Sequence, residues 1–279
     1  MNTMIAINNL DFGYRKNKKL FSELNLELET GRIYGLLGKN GSGKTTLMKQ
    51  TAGLLYAQNG EIILNGENPK KRSPKFLSSY FMVPEEFETP SITVKNFLKI
   101  TAPFYPFFNE DDFYKYLSEF NLDVNGKLSN LSFGQKKKVM LSFGLATHTP
   151  VVLSDEPTNG LDIPSKSTFR KIMASAINED RLFVISTHQV RDIEGIIDAI
   201  VVLENGKIIF NQDLETVSDK LSFKTLNNLE SEDVLYAEKH LNTYEAIVRK
   251  KDEEHSHINM ELLFNSIVER NSKVVSEFN

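Results

Sequence analysis

Three short stretches of this 279-residue chain carry residues whose types and spacing could do chemistry. The first is GKNGSGKTT at 38–46, which fits the spacing G-x-x-x-x-G-K-[ST]. Gly38, Gly41 and Gly43 let backbone N–H groups curl around phosphate oxygens where a side chain would block approach, with Asn40, Ser42 and Thr46 completing the loop. Lys44 supplies a point charge for β- and γ-phosphates, and the Thr45 hydroxyl is placed to ligand Mg2+. The second stretch is VVLSDEP at 151–157. Beside a phosphate loop, Asp155 in this position holds Mg2+, and Glu156 acts on the attacking water as a base or an orienting group. Taken alone, DEP is equally a turn. The third, LSFGQKKKV at 131–139, puts three lysines where a helix should begin. A helix N-terminus already carries about half a positive charge. Either the lysines are a solvated basic face, or an anion sits in front of the helix.

The elements that must position these residues can be read from hydrophobic pattern. LNLELE at 24–29 alternates with period two, so residues 1–30 read as β. Apolar runs recur at IYGLLG (33–38), VVLSDE (151–156) and LFVISTH (182–188). Buried runs alternating with helical pattern imply a parallel sheet, whose ligands bind beyond the carboxyl ends of the strands. Those ends carry Gly38, Asp155, Glu156 and His188, which should converge. Asn205-Gly206 joins AIVVLE to KIIF as a hairpin. The stretch 87–148 reads as a helical insert rich in Phe and Tyr. Beyond 218, DVLYAE and YEAIVRKK read as two strands, and Met260, Leu263, Phe264 and Ile267 fall on one helical face. Residues 219–279 are therefore expected to form a small appended α+β unit after a main domain at 1–218.

With these motifs in hand, the chain resembles the nucleotide-binding subunits of ABC (ATP-binding cassette) transporters, on its exporter-like branch. LSFGQ at 131–135 resembles the family's LSGGQ signature, TNGLD at 158–162 its D-loop, STH ending at His188 its switch histidine, and Tyr14 in DFGY the aromatic that stacks on adenine. The resemblance covers roughly residues 3–218. It implies a P-loop NTPase core of α/β class, with an antiparallel β-subdomain at the N-terminus and a helical subdomain. It implies ATP and Mg2+ as cofactors, a γ-phosphate contact from His188, and a head-to-tail dimer. In that dimer Ser132, Gly134 and Gln135 of one subunit face the nucleotide of the other, and the nucleotide is the anion in front of the helix. Direct phosphate contact by Lys136, Lys137 or Lys138 is not needed for this.

Two positions depart from the family pattern. Phe133 replaces a glycine of the signature, and Glu85 in YFMVPEE stands where a glutamine is usual, so Glu85 is a candidate Mg2+ ligand. His255 and His257 in EEHSH read as a polar loop or edge strand, since structural zinc needs about four ligands. Phe104, Tyr105, Phe107 and Phe108 fit either core packing or contact with a membrane partner.

The bulk numbers agree with a soluble protein: 40% hydrophobic, 25% charged and net charge −4. The negative balance argues against nucleic acid as a partner. There is no cysteine, hence no disulfide or thiolate chemistry. No window approaches the ~20 apolar residues of a membrane span, and the N-terminus lacks a secretory apolar core. The expectation is a cytoplasmic ATPase subunit, peripheral on the inner face of the membrane. It pairs with a transmembrane permease and a second ATP-binding subunit, itself a copy or a close paralogue, in an exporter of drug, peptide or antibiotic type. The rival readings are a soluble ABC ATPase acting on nucleic acid or ribosomes, and a module that holds ATP without turnover.

Overall fold

The computed structural model describes residues 2–15, 18–123, 125–229, 233–251, 256–269 and 273–278. In chain order its elements are β1 (Thr3–Phe12), β2 (Phe21–Glu29), β3 (Arg32–Leu37), α1 (Lys44–Thr51), β4 (Asn59–Leu64), α2 (Pro74–Leu77), β5 (Tyr80–Val83), α3 (Val94–Thr101), α4 (Glu110–Glu119), α5 (Phe133–Ala146) and β6 (Val151–Asp155). There follow α6 (Ile163–Ala176), β7 (Leu182–Thr187), β8 (Ala199–Glu204), β9 (Lys207–Asp213), α7 (Leu214–Lys220), β10 (Leu221–Leu226), β11 (Val234–His240), β12 (Thr243–Arg249), α8 (Met260–Val268) and α9 (Lys273–Ser276).

Six strands form the central sheet in the order β5-β6-β7-β3-β8-β9. The first five run parallel, and β9 returns antiparallel to β8. Their apolar runs are unbroken because both faces of the sheet are covered; every residue of β6 and β7 is buried. Alternate residues of β3 serve the two faces. Ile33 and Leu37 belong to the core cluster that includes residues of α3, α4, α5 and α6, while Tyr34 and Leu36 belong to the one that includes α1 and the strands β1, β2 and β4. Those three strands make an antiparallel sheet of order β2-β1-β4, in which β2 buries every second residue over most of its length, as its alternation predicts. Asn205 and Gly206 join β8 to β9 at φ +49° and +73°, as a two-residue type I′ turn requires.

The 87–148 stretch supplies α3, α4 and α5. Its aromatic cluster divides. Tyr105 and Phe108 pack on Phe143 at ring-centroid distances of 5.8 and 5.1 Å, whereas Phe104 and Phe107 are 71% and 73% exposed. The C-terminal part contains one strand more than the sequence pattern gives. β10 (LSFKTL) joins β12 and β11 in an antiparallel sheet of order β10-β12-β11. It follows α7 with no Gly or Pro between them, so its start carries no turn signal. Met260, Leu263 and Ile267 are buried and Phe264 partly so. Leu221, Leu235, Ile247, Leu263 and Val274 share one core cluster with Ile197 and Phe210, so this part extends the main core. Among the described residues no helix is long and apolar enough to cross a membrane.

Candidate nucleotide site

Strand order brings four segments to one edge of the sheet. β5, β6, β7 and β3 are neighbours, and they lead into Glu85, the pair Asp155–Glu156, His188 and Gly38 respectively. A cavity of about 750 Å³ opens there. The loop contributes Asn40, Gly41 and Gly43 to Thr46; the strand ends contribute Glu85, Glu156 and His188; the turn after β1 contributes Tyr14. Gly38 and Ser42 lie buried within the loop.

Gly43 starts α1 at φ +110° and offers no side-chain cap, so the first amides of the helix remain available to an anion. A Cβ at Gly43 would stand 2.7 Å from the Phe21 ring. Lys44 is buried at the loop's floor, and its Nζ donates to the Gly38 carbonyl at 2.7 Å. Burial pushes this ammonium below the usual lysine range, opposed by the negative field of Glu156, Asp155 and Glu85. The Tyr14 hydroxyl lies 2.9 Å from Thr46 Oγ1, and its ring, 67% exposed and edge-on to Phe12, leaves a face open for stacking.

The acidic pair is held by the strand beside it. The Ser186 hydroxyl donates to Asp155 Oδ1, while the buried Oδ2 has no protein partner. An orphaned buried carboxylate oxygen is the kind of group a hard cation completes. Among the described residues no three His, Asp or Glu side chains cluster to cage a metal. The donors thus fit Mg2+, which takes one or two carboxylates, a hydroxyl and substrate phosphate oxygens rather than an all-protein cage. Glu156 sits at φ +44°, uncommon for a residue other than glycine. Its Oε1 accepts from the His188 main-chain N–H at 3.0 Å and lies 2.7 Å from His188 Nδ1; its Oε2 accepts from the Thr187 hydroxyl at 3.1 Å. Glu156 and His188 therefore fix each other. Glu85 Oε1 accepts from Asn159 Nδ2 at 3.1 Å.

Ser132, Gly134 and Gln135 do not line this cavity. They begin α5 in a capping box: Ser132 Oγ accepts from the Gln135 N–H at 3.2 Å, and Gln135 Oε1 accepts from the Ser132 N–H at 2.9 Å. The Gln135 oxygen is thereby committed to its own helix. His257 is largely exposed and 4.0 Å from Glu194, and His255 lies outside the described residues. The sequence reading passed over Arg15, Lys18 and Lys19, which line the cavity; the RKNKK run beside Tyr14 was the available signal. Ser186, Thr187 and Asn159 lie inside the STH and TNGLD motifs, which give no hint that they hold the acids, and Lys137, in a run expected to be a solvated face or to meet an anion, is fully buried away from the cavity.

Comparison with known proteins places this geometry. The ABC transporter family model matches residues 21–159. The ABC transporter ATP-binding protein YtrB of Bacillus subtilis strain 168 is 29% identical over 221 residues, 78% of this chain and 74% of YtrB. The bacitracin transport ATP-binding protein BcrA of Bacillus licheniformis is 29% identical over 215 residues, 75% of this chain and 69% of BcrA. The dimeric post-hydrolysis structure of the ATP-binding cassette MJ0796, bound to ADP and Pi, shares the fold with a TM-score of 0.67 at 21% identity, over 76% of this chain and 99% of that one. A parallel sheet that delivers a phosphate loop and an acidic pair to one edge, in a chain so aligned, leads to one conclusion: the chain belongs to the ABC transporter ATP-binding family and is an ATPase.

Proposed function

We propose that this chain is the ATP-binding and ATP-hydrolysing subunit of a transporter whose membrane permease is a separate chain, in an exporter of drug, peptide or antibiotic type. The observation that carries the hydrolytic part is the clamp on Glu156. Three donors from Thr187 and His188 aim its carboxylate at the cavity that Lys44 floors. In this reading the loop amides of 38–46 and Lys44 bind the β- and γ-phosphates, and Tyr14 stacks on the base. Glu156 takes the proton of the attacking water, and His188 holds Glu156 and contacts the γ-phosphate. Thr45 and Asp155, with Glu85 as a further candidate, would hold Mg2+. When bound, the ion neutralises charge on the phosphate oxygens.

Ser132 and Gly134 stand at an exposed helix start away from the subunit's own cavity, which supports their action on the nucleotide of a second ATP-binding subunit, a copy or a close paralogue. The permease partner is supported by the exposed Phe104 and Phe107 on the helical insert and by likeness to a bacitracin transport ATP-binding protein. On this reading the subunit works in the cytoplasm, peripheral on the inner face of the membrane, and nucleic acid is not among its partners. Closed and open states bind ATP with different affinity, which is what lets nucleotide drive the permease between two states.

The test is a pull-down of the tagged chain from detergent-solubilised membranes of its host, with partners identified by mass spectrometry. A polytopic membrane protein recovered with the wild type, and lost when Phe104 and Phe107 are both changed to Ser, is the expected result. Recovery only with ribosomes or nucleic acid from the soluble fraction would replace the transporter reading with a soluble ATPase.

A further inference from the structure

The middle lysine of LSFGQKKKV is neither on a solvated face nor in the cavity. Lys137 has 0% exposure. Its Nζ donates to the carbonyls of Glu85 at 2.8 Å, Pro84 at 3.2 Å and Glu156 at 3.4 Å. The rings of Phe133 and Phe87 lie 5.3 and 5.8 Å from the ammonium. Burying an ammonium is costly, and burial lowers the pKa of Lys137 to about 8, although Glu85, Asp155, Glu156 and Glu86 pull it upward. A methionine would fill the same space without that cost, so the polar head has a task that packing does not account for.

The task is visible in the bonds that leave its three acceptors. The Glu156 carbonyl also accepts from the Asn159 main-chain N–H at 3.2 Å, and Asn159 Nδ2 donates to the Glu85 carboxylate. The path from Lys137 to Glu85, to Asn159, to Glu156 and back to Lys137 is closed. It contains the one residue of the acidic pair with a left-handed main chain. It also starts on α5 one turn after Ser132 and Gly134. We propose that Lys137 is a positioning residue for ATP hydrolysis: together with Asn159 it closes a hydrogen-bonded ring that sets the main chain of Glu156 and fastens the start of α5 to the 84–85 and 156–159 turns. The ring has a second consequence. The helix start that faces the partner's nucleotide, and the carboxylate that works on this subunit's own nucleotide, move as one piece.

This rests on Glu156 being the base, so the experiment measures both. Lys137→Met, Asn159→Ala, their double variant and Glu156→Gln are compared with the wild type for kcat and KM of ATP hydrolysis, ATP affinity by equilibrium dialysis, and thermal unfolding. Lys137→Met is expected to lose kcat on the order of tenfold, with ATP affinity within about twofold, because a shift of the base costs turnover and not binding. Asn159→Ala is expected to lose roughly threefold, and the double variant no more than Lys137→Met alone, as members of one unit do. A folded Lys137→Met at wild-type kcat overturns the proposal, as does a loss of kcat that merely follows a loss of ATP affinity. If Lys137→Met yields no folded protein, Asn159→Ala decides at a partly exposed position, and unchanged kcat there overturns the ring. Glu156→Gln separates the failures. Wild-type hydrolysis in that variant removes the base and this proposal together, while an inactive Glu156→Gln beside a fully active Lys137→Met removes this proposal alone.

Discussion

Replacing Glu156 by Gln is the sharpest perturbation of the site because the structure lets its chemical and structural effects be separated. The carboxylate accepts from the His188 N–H and from the Thr187 hydroxyl and pairs with His188 Nδ1. A glutamine has the same shape. Its carbonyl oxygen can take the Oε1 place and keep both bonds from His188. Its amide then faces Thr187 Oγ1, a hydroxyl that already accepts from the Gln189 N–H at 2.9 Å and has a second lone pair to offer. One weak hydrogen bond is exchanged for another and no cavity opens, so stability should change by less than about 1 kcal/mol. The oxygen proposed to take a proton from water is gone. General-base catalysis contributes roughly 10²–10⁴-fold, so kcat should fall at least ~100-fold, or ~2.7 kcal/mol of transition-state stabilisation. The assay is phosphate release at saturating ATP and Mg2+, with ATP affinity and unfolding temperature measured on the same preparation. Light scattering with ATP should show a long-lived dimer, since binding persists while turnover stops. A folded variant that binds ATP and hydrolyses it at the wild-type rate would refute the assignment. Equal losses in affinity and rate would make Glu156 a binding residue instead.

Other predictions follow from single contacts. Glu85→Gln keeps an oxygen for Asn159 Nδ2, so ATP turnover should stay within about threefold of the wild type; complete loss would mean that the second carboxylate oxygen carries an indispensable ligand. Leu263→Ala on α8 empties a fully buried position in the shared core, which should cost about 3 kcal/mol. For a chain of this size that lowers Tm by roughly 5 °C in a single transition, and a separate low-temperature transition would mean that the C-terminal part unfolds on its own. Asp213 caps α7 by accepting from the Thr216 N–H at 2.7 Å, and that backbone bond is the main cause that holds its carboxyl below the usual range. A lowered folded pKa means stability present above the unfolded value and lost as pH falls through the folded one. Denaturant titrations should therefore show Asp213→Asn with a flatter acid limb below about pH 4, and Asp213→Ala weaker by about 1 kcal/mol at neutral pH.

The parts of the site legible in the sequence are those where chemistry fixes both residue type and spacing. The loop at 38–46 can be read because only glycine tolerates the backbone path at Gly43, and because lysine and threonine must follow at set distances. The strands ending in Asp155 and His188 can be read because a sheet covered on both faces demands unbroken apolar runs. The contacts that hold the acids could not be read in the same way. Ser186 and Thr187 look like any strand end, and their partners lie 31 residues away in sequence. Lys137 is the clearest case. A run of three lysines normally marks a solvated face, and its neighbours Lys136 and Lys138 remain partly exposed. One signal was present: Lys137, Leu141 and Leu145 recur every four residues, and all three are buried along one side of α5.

That arrangement places the acidic centre between two buried ammonium groups with different partners. Lys44 rests on the Gly38 carbonyl at the cavity floor, while Lys137 is tied to carbonyls of the 84–85 turn and of Glu156. The same three carboxylates, Glu85, Asp155 and Glu156, oppose the desolvation of both. Lys44 can exchange a carbonyl for phosphate oxygens, a stronger charge-assisted partner. Lys137 has no such exchange available, because it is fully enclosed and does not line the cavity. On the proposed function, one lysine answers the nucleotide while the other holds the frame against which it moves. On the same reading, this division predicts that lysines of one type and similar burial respond differently to substitution: loss of the Lys44 head should weaken ATP binding, whereas loss of the Lys137 head should leave binding and lower turnover.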